Sequence, residues 1–312
     1  MKKAIGKACL IFALALPGAV WAWGPEGHAV VGDIAERHLT PRAKKQVRAL
    51  LEDHRMGDYE VACWPDEIRG SDDYEKIYPG NGLWHFIDFD VFKRYDDDFE
   101  LKPSEDGNDI VTQIGRWQKE LASKDTPRER KLDALRFLIH FVGDVHQPLH
   151  CAYRYGDMGG NMIPVNSFHG NHYSFGPNTP MDYPASIHSV WDQSMVLELM
   201  EARGRAAFAR FLLEGIGPEQ VQGWSQGNPL EWANDSYWKA RKQVYHWANG
   251  ENLPFKWANP GMDLTSANYI EARLPLAQEQ LQKAGVRLAR LLNAALDSKY
   301  APPPKPEPPP AK

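Results

Sequence analysis

Residues 140–150 read HFVGDVHQPLH, and the fold turns on how this stretch is read. It closes a longer segment, TPRERKLDALRFLIHFVGDVH (126–146). Apolar residues recur there at helical spacing, and Pro148 stops the run. On a helix His140 and Asp144, four apart, share one face. An imidazole nitrogen with a carboxylate oxygen is a donor pair that suits zinc. His150 stands just past the proline break, free to turn toward the same place. A lone histidine on a helix is more often a core or surface residue than a ligand. Here the spacing repeats, because HSVWD sets His188 and Asp192 four apart in a second segment.

Outward from this stretch, helical periodicity fills most of the chain. EGHAVVGDIAERHL (26–39) reads as a helix. Thr40 caps the next, PRAKKQVRALLED (41–53), with Pro41 in its first turn. Segments 109–123, 126–146, 189–215, 231–248 and 265–296 follow, the last with Pro275 as an expected kink. No sustained alternation of strands occurs. The long segment 156–186 is expected to be a loop holding at most a short hairpin. The fold class is mainly α. Residues 23–300 form one domain, with no linker-like stretch and no internal repeat.

Both ends differ from this body. MKKAIGKACLIFALALPGAVWA carries three lysines, then an apolar run, then Ala19 and Ala22 about the end. That is the pattern of a secretory signal peptide cut after Ala22, and the run is too short for a comfortable membrane span. The mature chain is then expected to start at Trp23 in a periplasm or the medium. The tail APPPKPEPPPAK (301–312) cannot build a helix and is expected to be solvated. The formal charge is −5, and loss of the three leader lysines would make it −8. Such a chain does not hold nucleic acid by a general positive field, so any phosphate must meet local cations. After removal of Cys9, Cys63 and Cys151 remain. An exported pair is often joined, and two buried thiols are the alternative.

Further metal-capable groups precede the long helix. WPDEIR offers Asp66 and Arg69, WHFID offers His85, Phe86 and Asp88, and WGPEGH offers His28 five residues after the expected new terminus. A free α-amine there would be a neutral nitrogen donor, with a pKa near ~8.

In order and spacing, these motifs, with Asp157-M-G-Gly160-Asn161, resemble the secreted zinc nucleases. That family comprises fungal single-strand-specific nucleases and plant bifunctional nucleases, and it shares its fold with zinc-dependent phospholipase C. The resemblance covers residues 23–192. It implies a mostly helical fold holding three zinc ions in one cleft. Carried over motif by motif, the Trp23 amine and carbonyl, His28 and Asp144 would hold one ion. Asp66, His85, His140 and a bridging Asp144 would hold the second. His150, His188 and Asp192 would hold the third. His146 falls between matched ligands, is not itself one, and would hydrogen-bond a ligand or the backbone. Asp66 would also orient the attacking water and Arg69 stabilise charge on the phosphoryl oxygens. Phe86, Asp88 and Asn161 would contact the substrate, Phe86 by stacking on an unstacked base. The implied substrates are single-stranded DNA and RNA, cut to 5′-phosphate products, and 3′-nucleotides. No protein partner is implied.

Within the same fold, a phospholipase C would be expected to close its site on Glu, where this chain has Asp192. A non-catalytic zinc protein would need neither Arg69 nor Phe86. The segment between Asn161 and His188 departs from the family pattern. It carries His169, His172, Tyr173, Phe175 and Tyr183, and reads as a surface loop or as a rim that selects substrate.

Overall fold

A computed structural model describes residues 23–92, 101–167, 172–173, 183–201, 203–254, 262–264 and 268–305. The expected leader, residues 1–22, lies outside these, as do His169 and Phe175. Among the described residues seven helices have ten or more residues: α1 Gly24–His38, α2 Pro41–Leu51, α3 Ile110–Ala122, α4 Arg128–Asp144, α5 Arg205–Glu214, α6 Pro229–Lys239 and α7 Tyr269–Leu296. The chain is mainly α, as expected. No described helix is long and apolar enough to cross a membrane.

Local chemistry starts these helices. The Thr40 hydroxyl accepts from Ala43 N at 3.1 Å, Asp109 accepts from Thr112 N at 3.0 Å, and Asn228 accepts from Leu230 N and Glu231 N. From Phe137 to Asp144 every residue of α4 is buried. A helix enclosed on all sides is a central one. Trp117 of α3 stacks on Phe137 at 4.4 Å, with Trp84 and Tyr78 edge-on around them. The long α7 lies against α1, and Gly285 lets the two backbones approach, because a Cβ there would strike the Ile34 side chain.

Two expected helices are divided. The segment 189–215 begins as a helical turn Ile187–Ser189, widens into a π-helical turn Val190–Ser194, and resumes as helix Met195–Glu201. It then breaks at Gly204, which is left-handed with φ 70°, and restarts as α5. The segment 231–248 is α6 followed by a second π-helical turn, Ala240–Val244. The expected helix from 265 starts only after Asn268, itself at φ 52°, and carries Pro275 inside it.

Two short stretches, residues 86–92 and 150–154, lie side by side, extended at 86–90 and 152–153. Ile87 N donates to His150 O at 2.8 Å, Tyr153 N to Phe89 O at 3.0 Å, and Val91 N to Tyr153 O at 3.1 Å. In the long loop, His172–Tyr173 pairs antiparallel with Tyr183–Pro184, the short hairpin that was expected. Val165–Ser167 pairs in parallel with Met262–Asp263. At the C-terminal end, Gln226 Nε2 donates to Pro303 O at 3.1 Å and Gln222 Nε2 to Pro304 O at 3.2 Å, which ties the start of the tail to the body.

Candidate metal centre

The last turn of α4, the 3-10 turn Pro148–Cys151 and the Ile187–Ser194 turns meet at one buried place. His28 comes from α1, Asp66 from the short helix Trp64–Glu67, and His85 from the start of the extended segment. All eight residues (His28, Asp66, His85, His140, Asp144, His150, His188 and Asp192) are at most 5% exposed. They form three groups whose ligand atoms lie within 4.8 Å of one another: His28, His140 and Asp144; Asp66, His85 and His140; His150, His188 and Asp192.

Asp144 joins the first two groups. Its Oδ1 lies 3.2 Å from His28 Nε2, and its Oδ2 lies 3.0 Å from His85 Nδ1 and 3.4 Å from His140 Nε2. Asp66 Oδ1 stands 3.4 Å from His85 Nδ1, and Oδ2 stands 3.4 Å from His140 Nε2. In the third group Asp192 Oδ2 lies 3.2 Å from His188 Nε2 and Oδ1 lies 3.8 Å from His150 Nε2.

The outer hydrogen bonds fix which ring nitrogens face inward. His140 Nδ1 donates to Ala62 O at 2.8 Å, His150 Nδ1 to His85 O at 2.7 Å, and His188 Nδ1 to Gly159 O at 2.7 Å. With those protons committed, the Nε2 atoms of neutral rings present lone pairs. His150 Nε2 and His188 Nε2 then face each other at 3.2 Å. Two acceptors that close repel unless a cation or a proton lies between them. Both Asp66 oxygens are buried and make no hydrogen bond, a cost that burial imposes unless a cation is present. Imidazoles and carboxylates held this way fit divalent ions of the zinc type.

Electrostatics point the same way. Burial, then Arg69, His140 and other neighbouring rings, holds His85 well below the ordinary histidine value, and burial with His188 does the same to His150. Burial also opposes charge on His140, yet Asp144 and Asp66 more than offset it and raise that ring to about 9. Burial pushes the Asp144 and Asp192 carboxyls up. Without a cation the centre cannot carry its carboxylates comfortably, and a divalent ion reverses that preference.

The remaining expected residues are placed as follows. Trp23 is buried, and its indole N–H donates to Gly143 O at 2.9 Å, which pins residue 23 beside His28 and Asp144. Its own carbonyl accepts from Gly27 N at 3.0 Å. Arg69 is half-buried, close enough for its charge to act on His85, His150 and Asp144. Phe86 is half-buried and Asp88 stands at the protein surface, where the atoms packed around its carboxyl keep part of its water away and, with the charge of Asp157, raise it to about 6. Asn161 donates its side-chain amide to Met158 O at 2.8 Å. His146 faces away from the centre. Its Nδ1 bonds Val142 O at 2.7 Å and its Nε2 meets Arg287 Nη1 at 2.8 Å. Cys63 and Cys151 are free, buried thiols, and Cys151 Sγ lies 3.4 Å from Val145 O.

Sequence reasoning missed Gln147. Its Nε2 donates to Asp192 Oδ1 at 2.5 Å and its Oε1 accepts from Leu149 N at 2.6 Å. Its place between matched ligands was the available signal. It also missed two glycines. A Cβ at Gly143 would lie 2.8 Å from His28 Nδ1, and one at Gly159, where φ is +62°, would lie 2.6 Å from Leu149 O.

A family model described as S1/P1 Nuclease matches residues 23–297. Among curated proteins, Endonuclease 2 of Arabidopsis thaliana is 27% identical over 285 residues, covering 88% of this chain and 90% of its own. Nuclease P1 of Penicillium citrinum is 26% identical over 301 residues, 89% of this chain and 100% of its own. Nuclease S1 of Aspergillus oryzae is 26% identical over 300 residues, 90% and 94%.

Proposed function

The chain belongs to the S1/P1 nuclease family, hydrolases of nucleic acid, and from that premise we propose that it is a zinc-dependent endonuclease acting on single-stranded DNA and RNA and on 3′-nucleotides. The observation that carries this reading is the set of three adjacent His/Asp groups, two of them joined by Asp144.

His28, Asp144 and the amine and carbonyl of Trp23 would hold one zinc ion. Asp66, His85, His140 and Asp144 would hold a second, and His150, His188 and Asp192 a third. Bound zinc supplies Lewis acidity at the phosphoryl group and makes water acidic enough to attack near neutral pH. The chain's own residues do the rest. Asp66 accepts a hydrogen bond from the attacking water and aligns it. Arg69, whose charge already reaches the centre, would stabilise the phosphoryl oxygens as charge builds. Phe86 offers a face for a base, and the Asp88 carboxylate accepts from the base edge. Only an unpaired base can reach such a platform, which accounts for single-strand preference. Cleavage at the 3′ oxygen leaves a 5′-phosphate.

The Trp23 ligand requires removal of residues 1–22 and hence export. The start of the family match at Trp23 supports that reading. The test is hydrolysis by protein beginning at Trp23, given single-stranded and duplex DNA, RNA, a 3′-mononucleotide and a phosphocholine lipid, each with and without chelator. Chelator-sensitive cutting of the unpaired strands to 5′-phosphate ends is expected. Cleavage of the lipid alone would establish the phospholipase alternative. Bound zinc with no turnover of any substrate would leave a zinc-binding protein.

A further inference from the structure

The extended segment that starts at His85 does not stop at the metal groups. Along it Ile87, Phe89 and Val91 are buried, while Phe86, Asp88, Asp90 and Phe92 alternate outward. Its partner, residues 152–153, follows directly on the 3-10 turn that holds His150. The two run in parallel, with Asp90 beside Tyr153, so both lead from metal ligands to one shared end. At that end Phe92 and Tyr155 stack at 4.3 Å with their planes 22° apart, and Tyr155 is 58% exposed.

Against this aromatic pair lies a depression of about 440 Å³, walled by Phe92, Arg154, Arg241, Lys242, Tyr245 and His246. No aspartate or glutamate lines it among the described residues. In a chain of net charge −5 that concentration of cations is a local reversal. The cations are positioned. Arg241 Nη1 donates to Tyr237 OH at 3.0 Å, and Tyr237 OH donates to Asp90 O at 3.3 Å, which fixes Arg241 to the extended segment. Arg241 and Lys242 both lie over the Trp238 ring, at 5.1 Å and 4.7 Å. Arg154 gives its guanidinium to Leu253 O and Pro254 O and its Nε lies 4.0 Å from Asp157 Oδ2, so Arg241 and Lys242 are the cations the depression offers a phosphate.

We propose that this depression is a phosphate subsite for the single strand whose scissile bond lies at the metal groups. The inference rests on the nuclease reading above. The strand follows the outward face of residues 86–92, a base stacks on the Phe92–Tyr155 pair, and phosphates pass over Arg241 and Lys242. Asp88 and Asp90 repel phosphate, which keeps the backbone on the cationic side and leaves base edges toward the carboxylates. Seven residues of chain, at most about 23 Å at ~3.3 Å per extended residue, lead from His85 to Phe92, and a substrate several nucleotides long is the one expected to occupy both places. A free phosphate would use the cations but would gain nothing from the aromatic pair.

The double variant Arg241→Gln/Lys242→Gln tests this. Wild-type kcat/KM is expected to rise on the order of tenfold from a thymidine dinucleotide to a decathymidylate, the scale of one stacking contact. In the variant the cationic share of that rise is lost while dinucleotide turnover and thermal melting stay at wild-type values. Phe92→Ala should remove the stacking share of the rise. Lys44→Gln/Lys45→Gln, the same charge change on α2, should leave the rise intact. A second readout is independent of catalysis. Binding of a labelled phosphorothioate decathymidylate is followed by anisotropy against salt, and the slope of log affinity should fall by about 1.4 in the double variant, two phosphate contacts at ~0.7 each. An unchanged length dependence with an unchanged salt slope overturns the subsite. Absence of any cutting would instead overturn the nuclease reading, and the binding slope would still judge the subsite. Displacement of the oligonucleotide from wild type and double variant by equal amounts of inorganic phosphate would also count against it.

Discussion

The chain contains the same four-residue His/Asp step twice, and the two copies are built differently. His140 and Asp144 sit on the final turn of a continuous α-helix, and His188 and Asp192 span a short helical turn that widens into a π-helical one. Around the first pair stand a second carboxylate, Asp66, and two more imidazoles, His28 and His85. Around the second stand His150 and the neutral Gln147, which donates to Asp192. Asp144 has one oxygen turned to each of two groups, and Asp192 serves one group only. The same spacing yields a shared centre in one place and a single site in the other, because neighbours decide how many lone pairs meet.

The largest expected effect separates the two copies directly. Asp144→Ala should remove two ions per chain, and Asp192→Ala only one. Each loss should cost activity on the order of a thousandfold or more, since an ion supplies several kcal/mol of charge stabilisation. Metal analysis finding equal stoichiometry in the two variants would erase the distinction. Next in size, protein bearing extra residues before Trp23 should lose one ion, from the first copy's side alone, and most of its turnover. Equal zinc content and turnover in the extended and trimmed proteins would count against the terminal ligand. Gly143→Ala should follow, because its methyl would press on His28 at 2.8 Å. Overpacking of that kind costs about 1–3 kcal/mol, read by thermal melting, with the third group's zinc retained. Smallest is Gln147→Leu, which removes a support of Asp192. It should weaken zinc at the second copy by about 10–100-fold and leave the first copy untouched. Competition with a graded chelator would measure it, and uniform weakening at both copies would contradict the separation.

Much of this was legible in the sequence for a physical reason. Ligand pairs on one helix face recur at i and i+3 or i+4, and a helix cap such as Thr40 announces itself by residue type. What escaped depends on contacts between distant segments. The π-helical turn at 190–194 has no signature in its letters, so a continuous helix was expected there. The carbonyls of Ala62, His85 and Gly159, which orient His140, His150 and His188, are backbone atoms that any residue would supply. His146 shows the reverse case. It sits in the densest motif of the chain, yet the break at the end of α4 turns it toward Arg287. The Arg241–Lys242 pair carries no motif at all. It matters only because a π-helical turn sets it against a segment that begins some 150 residues earlier.

Trp23 fills a slot that the rest of the chain has cleared for it. It is fully buried, a methyl at Gly27 would lie 2.6 Å from its Cβ, and one at Gly143 would lie 3.8 Å from its ring. A protease that cut one bond too late would discard the indole and leave a hole, at a cost of about 3–5 kcal/mol for a vanished large aromatic. Mis-trimmed molecules would therefore be the ones that open most readily and are digested first. If the chain is trimmed before Trp23 as proposed, the fold itself would check that cut, and accuracy at the cleavage step need not come from the peptidase alone.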